Sequence, residues 1–212
     1  MGTRHLVAVV IDRQYVVAQY GQWDGYPDCA GVTILEFLKG CDFEHLKEQL
    51  KKCRYITGEE IVEGYKKAGV PEDAEYITME QACKFNQIYP YLSRDIGYNI
   101  LKEISESPCD EIILKNSIDF AEDSLFCEWA YVVDFDKNKL EVYMGYNKER
   151  LTADERFYKS QFPNKGGYYP IKFIKKWDLN DLPEESEFLY CLNKAEDEEA
   201  EADLQEAIKQ EP

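Results

Sequence analysis

The chain has 212 residues, a formal net charge of −17, 44% hydrophobic residues and 14% aromatic residues. This apolar content exceeds that of disordered chains, so we expect a single packed domain over residues 1–195. A surface with this excess of negative charge repels phosphate backbones and anionic lipid, which excludes direct nucleic-acid binding and membrane-surface binding. The expected partner is therefore an unknown small molecule or another protein.

The C-terminal tail, residues 196–212, is the most acidic part of the chain. It contains eight Asp or Glu residues and a single lysine, Lys209. A charge run of this kind is usually solvated, so we expect the tail to be disordered or to form a frayed helix. Mimicry of nucleic acid by the tail is the alternative that its charge leaves open.

Cysteine usage and hydropathy indicate the cellular compartment. The seven cysteines are an odd number, no C-x-x-C pair is present, and the chain has no signal-peptide pattern. These features are typical of a reduced protein, and we predict a cytoplasmic location. The longest apolar run is far shorter than the roughly 18 to 20 residues of a membrane helix, so we expect no membrane span.

The N-terminal residues predict a β-hairpin that leads into a polar aromatic turn. Two apolar runs, 5–11 and 15–20, are separated by Asp12-Arg13-Gln14 and have the residue types of strands. Both runs are apolar on both faces, which is typical of strands in the middle of a covered sheet. The turn Asp24-Gly25-Tyr26-Pro27 follows.

Helical periodicity dominates the residues between this turn and Cys109. Thr78 is expected to cap one helix, and Pro90 separates that helix from the next. The predicted helical segments are 31–38, 43–53, a turn at 59–68, 79–88 and 91–104.

From Cys109 onward the apolar period changes to about two, which predicts strands. The clearest hairpin joins 129–135 to 140–144, a further strand covers 169–177, and a helix capped by Asp181 follows. This order predicts an α+β layered domain with a mostly antiparallel sheet. Within it, we expect the N-terminal strands to pair with the hairpin at 127–144.

Charged and aromatic side chains near the N-terminal turn are the ones that most need a functional reason. The candidate ligand-binding residues are Arg4, Trp23, Asp24, Tyr26, Arg94 and Asp95. Arg4 beside an apolar strand and Asp24 in an aromatic turn stay inside a protein only when they are paired. In one interpretation an arginine holds a ligand anion, Asp24 holds a polar or cationic group, and Tyr20 joins the aromatic walls. In the other, the charges pair with each other and fix the hairpin to the helices.

No residue pattern indicates catalysis, a metal or a cofactor. The sequence lacks a nucleophile with an adjacent base, a phosphate loop and metal-ligand spacing. Cys29 lies close to the turn and is the thiol to test for reactivity, although a buried small hydrophobe is the simpler explanation. Cys41 and His45 offer only two ligands, and the D-x-D-x-N run at Asp134 lacks the glycine and glutamate of a calcium loop.

The chain resembles a family of uncharacterised bacterial, phage and fungal proteins. The resemblance rests on Met1-Gly2-Thr3-Arg4 and Asp24-Gly25-Tyr26-Pro27, and more loosely on Ser93-Arg94-Asp95-Ile96-Gly97 and Glu128-Trp129-Ala130-Tyr131. It spans roughly residues 1–190 and implies a shared fold and a shared site, without an established activity.

Three functions are compatible with these patterns. The first is a binding or interaction protein of phage or mobile-element type, which acts by recognition. The second is an amide-bond hydrolase with a pocket at Asp24, Arg4 and Arg94, similar in element order to N-terminal nucleophile hydrolases. Their chemistry needs a nucleophile as the first mature residue, and only Thr3 could serve after cleavage. The third is an acidic inhibitor that mimics nucleic acid through residues 196–212.

Overall fold

A computed structural model describes residues 2–158, 163–164 and 166–210, and from residue 198 onward the backbone alone. Its strands are β1 (His5–Ile11), β2 (Gln14–Gly21), β3 (Cys53–Tyr55), β4 (Ile112–Leu114), β5 (Trp129–Asp134), β6 (Lys139–Met144) and β7 (Lys172–Asp178). Its α-helices are α1 (Val32–Gly40), α2 (Phe43–Leu50), α3 (Gly58–Lys67), α4 (Met79–Ile88), α5 (Ile100–Ser105) and α6 (Glu185–Gln210).

Five strands form one mixed sheet in the order β2-β1-β5-β6-β7. β1 is antiparallel to β2 and parallel to β5, whereas the β5–β6 and β6–β7 pairs are antiparallel. β3 and β4 form a separate parallel pair. The predicted α+β class with a mostly antiparallel sheet is therefore confirmed. The predicted pairing of the N-terminal strands with the second hairpin holds for β1, which lies beside β5, and is wrong for β2.

Both faces of the sheet are covered, which explains why β1 and β5 carry apolar residues at consecutive positions. Side chains of α1, α2, α5 and α6 close a core against the first face, where β1 and β5 contribute Val7, Val9, Tyr131 and Val133. The second face packs against the segments that precede β5 and β7 instead of against α-helices. Its core includes Leu6, Ala8, Ala121, Ala130, Val132, Leu151 and Phe157.

β2 lies at the edge of the sheet, so the prediction that both N-terminal strands are central is wrong for β2. A short 3₁₀ helix, Ile118–Glu122, covers one of its aromatic residues, since the ring of Phe120 meets that of Tyr20 edge-on with 4.9 Å between the centroids. A loop also covers part of its outer backbone edge, where the Ser117 N–H donates to the Ala18 carbonyl at 3.0 Å. Coverage by loops thus produces the same apolar pattern as a central position.

The helical half departs from the sequence pattern where a strand or a glycine interrupts it. α4 has the predicted bounds, and Thr78 forms the expected cap with Gln81 as its reciprocal partner. α2 ends at Leu50 because the chain enters β3 at Cys53. The predicted helix over 91–104 is wrong in its first half, since Gly97 adopts a φ of 49° and only residues 100–105 are α-helical.

α6 begins at Glu185 rather than beside Asp181, because Asp181 forms an isolated β-bridge with Asp178. Its fully buried residues Phe188 and Leu192 belong to the core on the first face of the sheet. The helix continues to residue 210 and so includes most of the acidic tail, 196–212. Among the described helices, none combines the length and the apolar character that crossing a bilayer requires.

Candidate functional site

The sequence motifs of the N-terminus, the aromatic turn and β5 meet where β1 and β5 begin. The Gly25 N–H donates to the Thr3 carbonyl at 3.0 Å, and the Glu128 N–H donates to the Arg4 carbonyl at 3.1 Å. The buried Tyr131 hydroxyl donates to the Gly25 carbonyl at 3.0 Å. These bonds hold the turn against the sheet, and Thr3 is only 4% exposed beneath it.

Three glycines form a cradle around the fully buried imidazole of His5. A Cβ atom at Gly21 would lie 2.1 Å from His5 Cε1, at Gly25 2.7 Å from His5 Cβ, and at Gly97 3.3 Å from His5 Cε1. Within the described residues, neither ring nitrogen of His5 has a hydrogen-bond partner. Burial lowers the pKa of His5 to about 4, although the Thr3 backbone acts in the opposite direction. His5 is therefore neutral at pH 7. Close packing against its ring explains Gly25 in the aromatic turn and Gly97 in the segment 93–97.

The predicted pairing of charges is not formed. Asp24, Arg94 and Asp95 are exposed, and with respect to the described part of the chain none of these residues or Arg4 forms an ion pair. The expectation that Asp24 lies inside is wrong, because the turn gives Asp24 a φ of 55° and leaves its carboxylate in solvent. A charge at the surface needs no partner. Asp24 therefore does not require the pairing with an arginine that the structural interpretation assumed.

Arg4 lies instead within a group of half-exposed aromatic rings. Its Cζ atom is 4.3 Å from the ring centroid of Phe126, a cation–π distance. The Glu128 carboxylate accepts from the backbone N–H of Arg4 at 3.3 Å. Burial raises the pKa of Tyr146, with smaller contributions from Glu128 and Tyr26 and an opposing one from Arg4. We call Tyr26, Phe126 and Tyr146, together with Arg4 and Glu128, the aromatic patch.

Trp23, in the turn that precedes Tyr26, is 51% exposed. Its ring covers the backbone of Gly2, since a Cβ atom there would lie 2.1 Å from Trp23 Cε3. The indole is therefore held against the N-terminal segment while one side faces solvent.

A cavity of about 360 Å³ opens on the outer edge of β2. We call it the Tyr20 pocket. It is lined by Gln19, Tyr20, Leu92, Arg94, Lys115, Asn116, Ser117 and Phe120. None of these residues is acidic, although acids outnumber bases by 42 to 25 in the chain.

Tyr20 forms a fixed wall of the pocket. Its hydroxyl donates to Gln22 Oε1 at 2.6 Å, which holds the ring in place against Phe120. Burial raises the pKa of Tyr20, and the charges of both Arg4 and Arg94 oppose this rise.

The groups that the pocket offers to a ligand are mainly donors. The Ala18 carbonyl points outward to Ser117, so the N–H and carbonyl of Tyr20, two residues on, point to the same edge. The Tyr20 carbonyl already accepts from Gln19 Nε2 at 3.2 Å, so this acceptor is engaged. Considering the described residues alone, Arg94 and Lys115 form no ion pair. This arrangement suits an anion.

The candidate residues of the sequence therefore divide between several places. Arg4 and Tyr26 belong to the aromatic patch, Trp23 covers Gly2, and Arg94 lines the pocket, whereas Asp95 does not. Residues that the sequence pattern did not single out are Lys115, Asn116, Phe120, Phe126 and Tyr146. No local signal marks them, because each is brought to the site by a distant part of the chain.

The remaining candidates have structural explanations. Cys29 is half-buried, and its thiol lies 3.6 Å from the Tyr98 hydroxyl. Asp136 accepts from the backbone N–H groups of Asp12 and Arg13 at 2.9 and 2.7 Å, which ties the two hairpin turns together. In the part of the chain that the structure describes, no three His, Cys, Asp or Glu side chains are grouped as metal ligands.

Comparison with known proteins was negative. No protein-family model, curated protein or solved structure matches this chain.

Proposed function

We propose that this protein is a binding protein whose Tyr20 pocket takes a small anionic ligand with a flat apolar group. The observation that carries the proposal is a pocket lining with two cations and no acidic residue in an otherwise acidic chain. The cations are Arg94 and Lys115. Like charges placed close together repel each other, and a bound anion removes that cost.

The size and walls of the pocket support the same ligand class. A volume of about 360 Å³ lies within the range of roughly 300–1,000 Å³ typical of small-molecule sites. Tyr20, Phe120 and Leu92 supply flat or apolar surface, while the donors lie around them. Such a combination orients an anionic group towards the cations and a ring towards the aromatic wall.

Calorimetric titration of the full chain with benzoate and with inorganic phosphate tests the proposal. We expect Arg94→Ala or Lys115→Ala to weaken binding by about tenfold, since each removes a charge-assisted contact. Arg150→Ala and Lys66→Ala are the matched controls, because both residues are exposed and lie outside the pocket lining. Absence of binding for both probes, or equal losses in the control variants, would overturn the proposal.

No specific observation favours either alternative function. The hydrolase would require Thr3 as a free N-terminal nucleophile, whereas Thr3 is buried and its carbonyl is bonded to Gly25. The nucleic-acid mimic has its support only in the composition of residues 196–212. Recognition of a small anion accounts for more of the site than either.

A further inference from the structure

We propose that the ligand is a nucleotide, with its phosphate between Arg94 and Lys115 and its base on the aromatic patch. This inference rests on the proposed function, because it names the class of anion that the Tyr20 pocket takes. What carries it is that the cationic pocket and the aromatic patch adjoin, because the pocket residue Phe120 and the patch residue Phe126 lie two consecutive turns apart on one segment.

The connection runs through the segment that carries both phenylalanines. Phe120 lines the pocket, where its ring lies 4.9 Å from that of Tyr20, and its carbonyl accepts from the Asp123 N–H at 3.2 Å. The Asp123 carbonyl accepts in turn from the Phe126 N–H at 3.0 Å. The Arg4 guanidinium lies 4.3 Å from the ring centroid of Phe126. Its positive charge favours the ionised form of Tyr146. A ligand that fills the pocket with its anionic end therefore has its other end directed towards half-exposed rings.

The aromatic patch has the properties of a stacking surface for a base. Tyr26, Phe126 and Tyr146 are 47%, 41% and 45% exposed, so each presents much of a ring to solvent. Every nucleobase has a flat π face, and stacking on an aromatic side chain contributes substantially to its binding. Glu128 beside the rings is a carboxylate that accepts N–H groups, which favours a base with donors on its pairing edge.

Backbone strain borders the same surface. Asp24 and Tyr146 are non-glycine residues with φ of 55° and 53°, a region that L-amino acids, and bulky ones above all, seldom adopt. Strain of this kind persists where neighbouring contacts impose it, and it clusters at ligand sites. Tyr146 supplies one ring of the patch, and Asp24 lies two residues before Tyr26, which supplies another.

The net charge of the chain distinguishes a nucleotide from a nucleic acid. A long polyanion meets the whole acidic surface, whereas a monophosphate, with a charge of about −1.5 to −2, meets chiefly the local cations. The overall charge of −17 therefore excludes polymeric nucleic acid but does not exclude a mononucleotide.

Calorimetric titration of the full chain with guanosine 5′-monophosphate, guanosine and inorganic phosphate tests the inference. We expect the nucleotide to bind at least about tenfold more tightly than phosphate, because stacking adds to the charge interaction. Arg94→Ala should weaken nucleotide and phosphate alike. Phe126→Leu should weaken the nucleotide about tenfold and leave phosphate binding unchanged, with Phe173→Leu as the control, since Phe173 is 40% exposed on β7.

The outcomes separate this inference from the proposed function. If phosphate or benzoate binds at Arg94 while the nucleoside portion adds nothing, the nucleotide assignment is overturned and the anion site remains. If no anion binds, both fail. Nucleotide binding that is insensitive to Arg94→Ala and to Phe126→Leu would lie elsewhere and would also overturn the assignment. Unfolding midpoints of every variant confirm that a loss of binding does not come from a loss of fold.

Discussion

Arg156 donates from its guanidinium to the carboxylate of Asp134 on the second face of the sheet, with side-chain exposures of only 11% and 2%. The same guanidinium donates from Nε to Glu141 at 2.7 Å, and the Tyr143 hydroxyl donates to Glu141 at 2.7 Å. Buried charges persist only when they are paired and hydrogen-bonded in this way. The network attaches the segment around Arg156 to β5 and β6.

Arg156→Ala is expected to destabilise the fold by about 3–5 kcal/mol, because it leaves two carboxylates with little solvent and without their cation. Urea unfolding monitored by circular dichroism measures the change. Arg150→Ala is the matched control, since that arginine is exposed. A loss no larger than that of Arg150→Ala would contradict the role assigned to Arg156.

The same network predicts a loss of stability in acid. Burial, the largest single influence, would raise the pKa of Asp134 and of Glu141. The hydrogen bonds and charge of Arg156, together with smaller contributions from Lys137 and Tyr143, hold the pKa of both below the ordinary value. Their contribution to stability is therefore complete above the unfolded pKa values of about 4 and is lost as the pH falls through the lower folded values. Unfolding free energies between pH 6 and pH 2 measure this, and the acid dependence should be smaller in Arg156→Ala.

His5 predicts a second and separate pH window. Its pKa is about 4 in the folded protein and about 6.5 in the unfolded chain. Between these values the unfolded chain binds a proton that the folded protein excludes, so stability falls as the pH is lowered, by up to about 1.4 kcal/mol per pH unit. His5→Asn should remove this slope, and His45→Asn, at an exposed position, should retain it.

The glycine cradle predicts coupling between two positions. Gly21→Ala is expected to cost about 1–3 kcal/mol through overpacking against His5, whereas Gly40→Ala, with no atom within 4 Å of its added Cβ, should not show this cost. In the double variant His5→Ala/Gly21→Ala the clash is absent, so the two losses should be less than additive. Additive losses would show that the ring and the glycine are not in contact.

Trp23 makes the site observable by fluorescence. It is 51% exposed, whereas Trp129 and Trp177 are 2% and 8% exposed, and the chain has three tryptophans. Iodide should therefore quench one class of tryptophan emission, and Trp23→Phe should remove that class. Persistence of the quenchable fraction in Trp23→Phe would mean that another indole is accessible.

The local sequence pattern predicted where most helices and strands lie but not which elements pack beside them. The alternation in 129–135 and 140–144 predicted a hairpin that the structure forms, and Thr78 predicted the start of α4. The apolar pattern of β2 predicted a central strand, whereas β2 is an edge strand. Residues outside the sheet, such as Phe120, cover its side chains as a neighbouring element would. Periodicity predicted one helix over 91–104, but the α-helix begins only at Ile100, after Gly97 with its positive φ.

The sequence by itself determined the class of fold, the positions of the hairpins and the region that needs a functional reason, since these depend on residue periods and on neighbours along the chain. Only the tertiary structure decided which side chains meet. Tyr20, Arg94 and Lys115 are far apart along the chain and share one pocket because the segments carrying Arg94 and Lys115 pack along the edge of β2. Such proximity depends on strand order and on how loops cross an edge, and neither is encoded in a local period.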